Sequence, residues 1–262
     1  MSLLYILRGV KNCESRSNTQ HGTKITIYGR VGYKAALSVM LFTLGIAPAA
    51  FAENLKSPFL AEAVAKYGSE EAAGKAILDL GWNNLNQGDW EIARKRFEEA
   101  RQLIPNDANV LWGLGAASAF QQRWNEAIDF FKAGLEKNPG HANLLADLSW
   151  AYEEKGMLDE AVVWNQKAAA AYAKITPPDP RRWKPSYNFG LIYAKKGQLE
   201  NAISSLNETL QINPGLGDAY GLLAIVYYER RQYDLAAQNA AKAEEFGFRL
   251  DEEFLETLKA YQ

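Results

Sequence analysis

Beyond residue 52 this 262-residue chain keeps one histidine, His141, and no cysteine; His21 and the single cysteine, Cys13, both lie upstream. Acid–base, nucleophilic and metal-assisted catalysis all need convergent groups of such types. His141 follows Pro139-Gly140, in a stretch where a polar side chain is expected to be solvated or to cap the next helix. A zinc site would need three or more clustered His, Cys or carboxylate ligands, and His141 has no companion in the sequence. The adjacent acids of FEEA (Glu98, Glu99), YEEK (Glu153, Glu154) and DEEF (Asp251 to Glu253) have the makings of acid–base pairs. Each falls on a helical stretch at a solvent-facing position, where a run of charge usually solvates a surface. No GxxxxGK[ST], GxGxxG or GxSxG occurs. No catalytic residue, metal ligand or cofactor is therefore expected, and an enzyme is disfavoured. The chemistry that remains is recognition by rings, above all Trp82, Trp112, Trp150 and Tyr187.

Rings need a scaffold, and the chain writes one scaffold repeatedly. GDWEIARKRFEEARQLIPND (88–107) returns as QRWNEAIDFFKAGLEKNPGH (122–141), with Ala93 on Ala127, Phe97 on Phe131 and Pro105 on Pro139. Upstream, Leu80-Gly81 falls on Leu114-Gly115. The frame continues through Leu148-Ser149 and Ala161, then Phe189-Gly190, Ala202, Leu206 and Pro214, then Leu223-Ala224, Ala236 and Ala243. Five units result: 74–107, 108–141, 142–175, 183–216 and 217–250. Each holds two segments of helical period split by a polar or glycine-containing breaker, which predicts antiparallel helices. Gly81, Gly115, Gly190 and Ala224 are expected to oppose Ala93, Ala127, Ala202 and Ala236 where the paired helices cross. Phe97 and Phe131 are expected to project between one pair and its neighbour. Asn165 replaces that aromatic in unit three, with Trp164 expected to supply the bulk. TPPDPRR (176–182) is an insertion predicting a stiff loop or kink and a candidate contact site.

This frame resembles the tetratricopeptide repeat, whose signature is Leu-Gly, an aromatic, alanines and a closing proline over about 34 residues. The resemblance covers nearly all of the chain from residue 74. It implies an all-α fold, a right-handed α-solenoid of five stacked helix-turn-helix repeats with a capping helix at 251–262. Residues 53–73 predict a degenerate N-terminal helix or hairpin. In the family the first helices of successive units line a concave groove for peptide segments or partner helices. Carried over by position, the groove residues here are Trp82, Asn109, Trp112, Phe120, Asn143, Trp150, Tyr187 and Lys195, with Trp82, Trp112, Trp150 and Tyr187 forming an aromatic strip. Leu78, Trp82 and Trp112 replace the polar pattern with which some members clamp a C-terminal carboxylate. The expected function is a non-catalytic protein-binding scaffold for a peptide or helix of a partner. An alternative is carbohydrate binding, with sugars stacked on the Trp and Tyr faces; a third is self-association, with 251–262 docking in a neighbour's groove.

Near the start, Lys34 precedes AALSVMLFTLGIAPAAFA, a short apolar run ending in Ala50-Phe51-Ala52. A cationic flank, a short apolar segment and an A-x-A end predict a signal peptide cleaved near Ala52, and hence a periplasmic or secreted protein. Residues 1–30 show neither helical nor strand period, and Val31 is a candidate start of translation. Cleavage removes six of 29 basic residues and one of 31 acidic ones, taking the formal net charge from −2 to −7. That balance disfavours a nucleic-acid partner, which needs a basic footprint. No membrane span is expected in the mature chain, since the run is too short to cross a bilayer.

Overall fold

The computed structural model describes residues 57–261. The predicted leader, the cleavage position near Ala52 and the start at Val31 lie outside them. Among the described residues are twelve α-helices and no strand. They are α1 (Pro58–Tyr67), α2 (Glu70–Asn86), α3 (Trp90–Leu103), α4 (Ala108–Phe120), α5 (Trp124–Lys137), α6 (Ala142–Glu154), α7 (Leu158–Tyr172), α8 (Lys184–Lys195), α9 (Leu199–Ile212), α10 (Gly217–Glu229), α11 (Tyr233–Glu245) and α12 (Glu252–Lys259).

The helices pair as α2/α3, α4/α5, α6/α7, α8/α9 and α10/α11, and each pair packs on the next. First helices of successive units also meet directly: α2 with α4, α4 with α6, α6 with α8 and α8 with α10. The stack therefore bends with its first helices on the inner side. This is an α-solenoid of helix-turn-helix repeats, in which stacking buries the faces that a lone pair leaves open.

Local chemistry sets the helix ends. Pro105, Pro139 and Pro214 stand two residues past α3, α5 and α9, where a proline cannot continue a helix. Asp107 caps α4 by accepting from the Asn109 N–H. Of the segment 53–73, expected as a degenerate helix or hairpin, the described residues hold α1 and the first turn of α2. Gly68 stops α1 with a φ of 84°, and the Ser69 side chain, accepting from the Ala72 N–H, starts α2 four residues before the expected unit boundary.

All five hairpin turns share one geometry. Gly88, Gln122, Gly156, Gly197 and Arg231 each have a positive φ, between 59° and 83°. The next residue's N–H returns to a carbonyl five residues back, as in Asp89 to Asn84, Arg123 to Ser118, Met157 to Tyr152, Gln198 to Tyr193 and Gln232 to Tyr227. That bond satisfies a carbonyl left open at the helix C-terminus.

The small residues of the first helices answer to rings, which refines the expected opposition to alanines. A Cβ on Gly81 would stand 2.4 Å from the Phe97 ring, and one on Gly113 of the next unit 2.6 Å from the same ring. Phe97 is thus fully buried between two units, as Phe131 is against Gly115, while Ala93, Ala127, Ala202 and Ala236 are fully buried as well. In unit four Leu206 plays this part against Gly190.

Unit three departs from the pattern. Asn165 is fully buried and donates from Nδ2 to the Pro185 carbonyl of α8 at 2.7 Å, so the joint between units three and four is closed by a polar clip. Trp164 does not fill the vacant ring position; it points outward, with Lys167 Nζ 4.0 Å from its ring centroid. At the C-terminus Phe254 and Leu258 of α12 are buried against the last unit, and Tyr261 stacks on Tyr233 at 4.3 Å. The buried side of α12 is therefore used within the chain.

Candidate functional site

The inner face is built by α2, α4, α6, α8 and α10. On α2, Trp82 is half-buried, edge-on to Phe97 at 5.2 Å and tilted against Trp112 of α4 at 4.3 Å. Half-buried Trp112 donates from Nε1 to Asp147 Oδ2 of α6 at 2.6 Å, and Asp147 Oδ1 accepts from Lys184 Nζ of α8 at 2.9 Å. One indole is thereby tied to a line of hydrogen bonds crossing three units. Across from it, the Arg181 guanidinium of the 176–182 insertion lies 5.7 Å from the Trp112 ring centroid. Asp179 holds that arginine by accepting from its backbone N–H and from Nε and Nη2. The insertion read as a loop or kink therefore reaches the inner face.

Asn109 and His141 form the polar neighbour of Trp112. His141 is the N-cap of α6: its Nδ1 accepts from the Leu144 N–H at 3.2 Å. With Nδ1 accepting, the proton sits on Nε2, which donates to Asn109 Oδ1 at 3.0 Å. Burial holds the imidazole below its usual pKa, opposed by the charges of Asp147 and Asp107 and reinforced by Arg181. Capping was one of the two roles expected for His141; its bond to the preceding unit was not foreseen.

A second aromatic cluster lies at the turn end of the same helices. Phe120 stacks parallel to Trp90 at 6.1 Å and meets Trp150 at 6.0 Å, and Trp150 is edge-on to Trp124 at 5.3 Å. The single strip expected of Trp82, Trp112, Trp150 and Tyr187 is thus two groups, one around Trp82 and Trp112 and one around Phe120 and Trp150.

Two expected groove residues are withdrawn from the surface. Tyr187 is buried, edge-on to Trp183 and packed with the core of units four and five. Asn143 is buried because α7 extends to Tyr172, whose hydroxyl donates to Asn143 Oδ1 at 2.6 Å. Burial pushes the Tyr172 phenol well above its usual range. Lys195 is half-buried and ion-paired with Glu153 and Glu154 of the preceding unit. Farther along, Asp218 of α10 has a buried carboxylate oxygen without a hydrogen-bond partner, and burial raises its pKa.

Several of these residues were missed in the sequence. Trp90 and Trp124 carried a signal, because they stand one repeat apart at the start of the second helix, with Leu158, Leu199 and Tyr233 in the same frame. Asp147, Tyr172, Arg181 and Lys184 carried none, since the contacts that bring them to the inner face join positions 29 or more residues apart. Among the described residues no group of three or more His, Cys, Asp or Glu is placed to hold a metal ion, and no helix is long and apolar enough to cross a membrane.

Family models described as tetratricopeptide repeat match residues 78–142, 118–183 and 185–215. The TPR repeat-containing protein YpiA of Bacillus subtilis is 23% identical over 168 residues, which is 63% of this chain and 37% of that protein. A probable UDP-N-acetylglucosamine–peptide N-acetylglucosaminyltransferase, SPINDLY of Hordeum vulgare, is 28% identical over 184 residues, 64% of this chain and 19% of that protein. The chain thus spans well under half the length of these relatives. The crystal structure of PilW, a widely conserved type IV pilus biogenesis factor, shares the fold at a TM-score of 0.62 with 19% identity, covering 72% of this chain and 85% of that one.

Proposed function

We propose, from the premise that this chain belongs to the tetratricopeptide-repeat family, that it is a non-catalytic scaffold holding a segment of a partner protein along its inner face. The observation that carries this reading is the pair of half-buried indoles, Trp82 and Trp112, 4.3 Å apart on consecutive first helices. They are held in place by Phe97 on one side and by Asp147 on the other. Rigid, partly exposed rings on a preformed surface give contact area at small entropic cost and dominate many interfaces. The polar groups around them are already engaged: both His141 nitrogens are bonded, and Asp147 and Lys195 are paired. They frame a binding surface better than they would serve proton transfer. Stacking of sugars is less well supported, because Trp82 and Arg181 stand against the Trp112 ring that a sugar would use.

We infer further, from the cationic flank, short apolar run and A-x-A end of residues 34–52 alone, that this scaffold is exported and that its mature chain starts after Ala52. The test joins both parts. The full chain expressed in its host is fractionated, its N-terminus sequenced, and partners captured from the envelope. Wild-type protein is expected in the periplasmic fraction beginning at Glu53 and bringing down a partner. The Trp112→Ala/Trp150→Ala variant is expected to keep its helical circular dichroism and lose that partner. Capture that survives the double substitution would sink the groove, and a cytoplasmic chain retaining 1–52 would sink the export.

A further inference from the structure

The outer side of the stack carries a feature that neither the fold nor the inner face requires. A cleft of about 840 Å³ opens between α5 and α7, the second helices of units two and three. Its floor is apolar: Leu135 and Leu145 are buried there, and Ile175 at its mouth is 37% exposed. Trp164 forms one wall. This is the tryptophan that does not replace the missing core ring of unit three; it is half-buried, resting on the apolar cluster of units two and three with the rest of its ring open to the cleft. Around the cleft stand three exposed lysines, Lys132, Lys167 and Lys174, against one acid, Glu136. The cleft is therefore a basic spot on a chain of net charge −2.

We propose that this outer cleft is a second docking site, which takes an acidic amphipathic helix from a partner protein. Charge complementarity selects acids, and the recessed apolar floor selects a side chain that can enter it. A planar lipid surface cannot reach the floor of a cleft between two helices. A nucleic acid would leave the floor unfilled and meet a repelling chain beyond the lysines. Lys167 and Lys174 are seven residues apart, two helical turns or about 10 Å along α7 and its end. An occupant helix presents carboxylates at the same interval when they too are seven residues apart, and the residues one turn between them face the floor. This is helix-in-groove recognition, with charges setting the register.

The probe is an alanine-based helical peptide with two glutamates seven residues apart and leucines between them; its control carries lysines in place of the glutamates. Binding to the full chain is followed by calorimetry. The glutamate peptide is expected to bind at least about tenfold more tightly than the lysine peptide and to weaken with added salt. Lys167→Glu with Lys174→Glu is expected to reverse that preference, and Ile175→Glu, also at an exposed position, to abolish binding. Equal affinity for both peptides, no binding of the glutamate peptide, or binding indifferent to these substitutions would overturn the proposal. So would phosphatidylglycerol vesicles or duplex DNA binding through Lys167 and Lys174 where the peptide does not.

Discussion

His141 shows how a single side chain can make one helix end depend on pH. An imidazole that accepts a helix N–H at Nδ1 must be neutral, and burial in the fold lowers its pKa from the ordinary 6.5. The unfolded chain then takes up the proton more readily than the folded one. The cap's contribution is therefore complete above about pH 6.5 and is lost as pH falls through 6.5 toward the lower folded value. Thermal melts between pH 8 and pH 5 should show His141→Ala lowering stability by about 1 kcal/mol at the alkaline end and by less at the acid end. His141→Asn, which caps without titrating, should flatten that part of the slope; an unchanged slope in both variants would exclude the cap as its source. The residue type and its place after Pro139-Gly140 made the cap legible in the sequence. The Asn109 bond was not, because it joins positions 32 residues apart, and the same holds for Tyr172 and Asn143.

Among the elements, the hairpin turn is the most uniform feature and the one least evenly written in the sequence. Gly88, Gly156 and Gly197 occupy the left-handed position without penalty, while Gln122 and Arg231 carry a side chain there at a φ of 59°. For a residue with a Cβ that conformation costs about 1–2 kcal/mol. Nothing lies within 4 Å of a Cβ built on Gly156, so Gly156→Ala isolates the backbone and should lower unfolding free energy in urea by about 1 kcal/mol. Gln122→Gly should raise it by about half that, since relief of the strain is partly offset by glycine's entropy in the unfolded chain. A Gly156→Ala protein as stable as wild type would contradict the turn geometry. The frame of alanines, aromatics and prolines identified every helix pair, because each marks a local contact or a stop. Which inner-face rings are exposed was not identifiable, since Tyr187 and Trp82 have equivalent aromatic character and differ only in what neighbouring units place over them.

At the scale of the molecule, three apolar clusters follow one another along the chain, and each draws on adjacent units. Such a stack is open at its ends, and the ends need covers. Deleting 251–262 removes buried Phe254 and Leu258 and uncovers their partners on the last unit. At about 1.5–3 kcal/mol per buried large side chain, stability should drop by at least about 3 kcal/mol. Light scattering should then report concentration-dependent association; a truncated chain that stays monomeric at the wild-type melting temperature would deny α12 that role. The capping helix was legible as a short amphipathic ending, whereas the reach of 176–182 onto the inner face was hidden, because a proline-rich insertion has no periodic pattern to show its direction.

A solenoid is a spring, and the run from Trp112 through Asp147 to Lys184 acts as a splint along its middle coils. Stretching or tightening the coil there would break a charged hydrogen bond, and the joints on either side are tied in their turn by Arg94 to Glu126 and by Arg230 to Glu200. A segment docked at the splint, on the function proposed above, would meet a seat that resists bending.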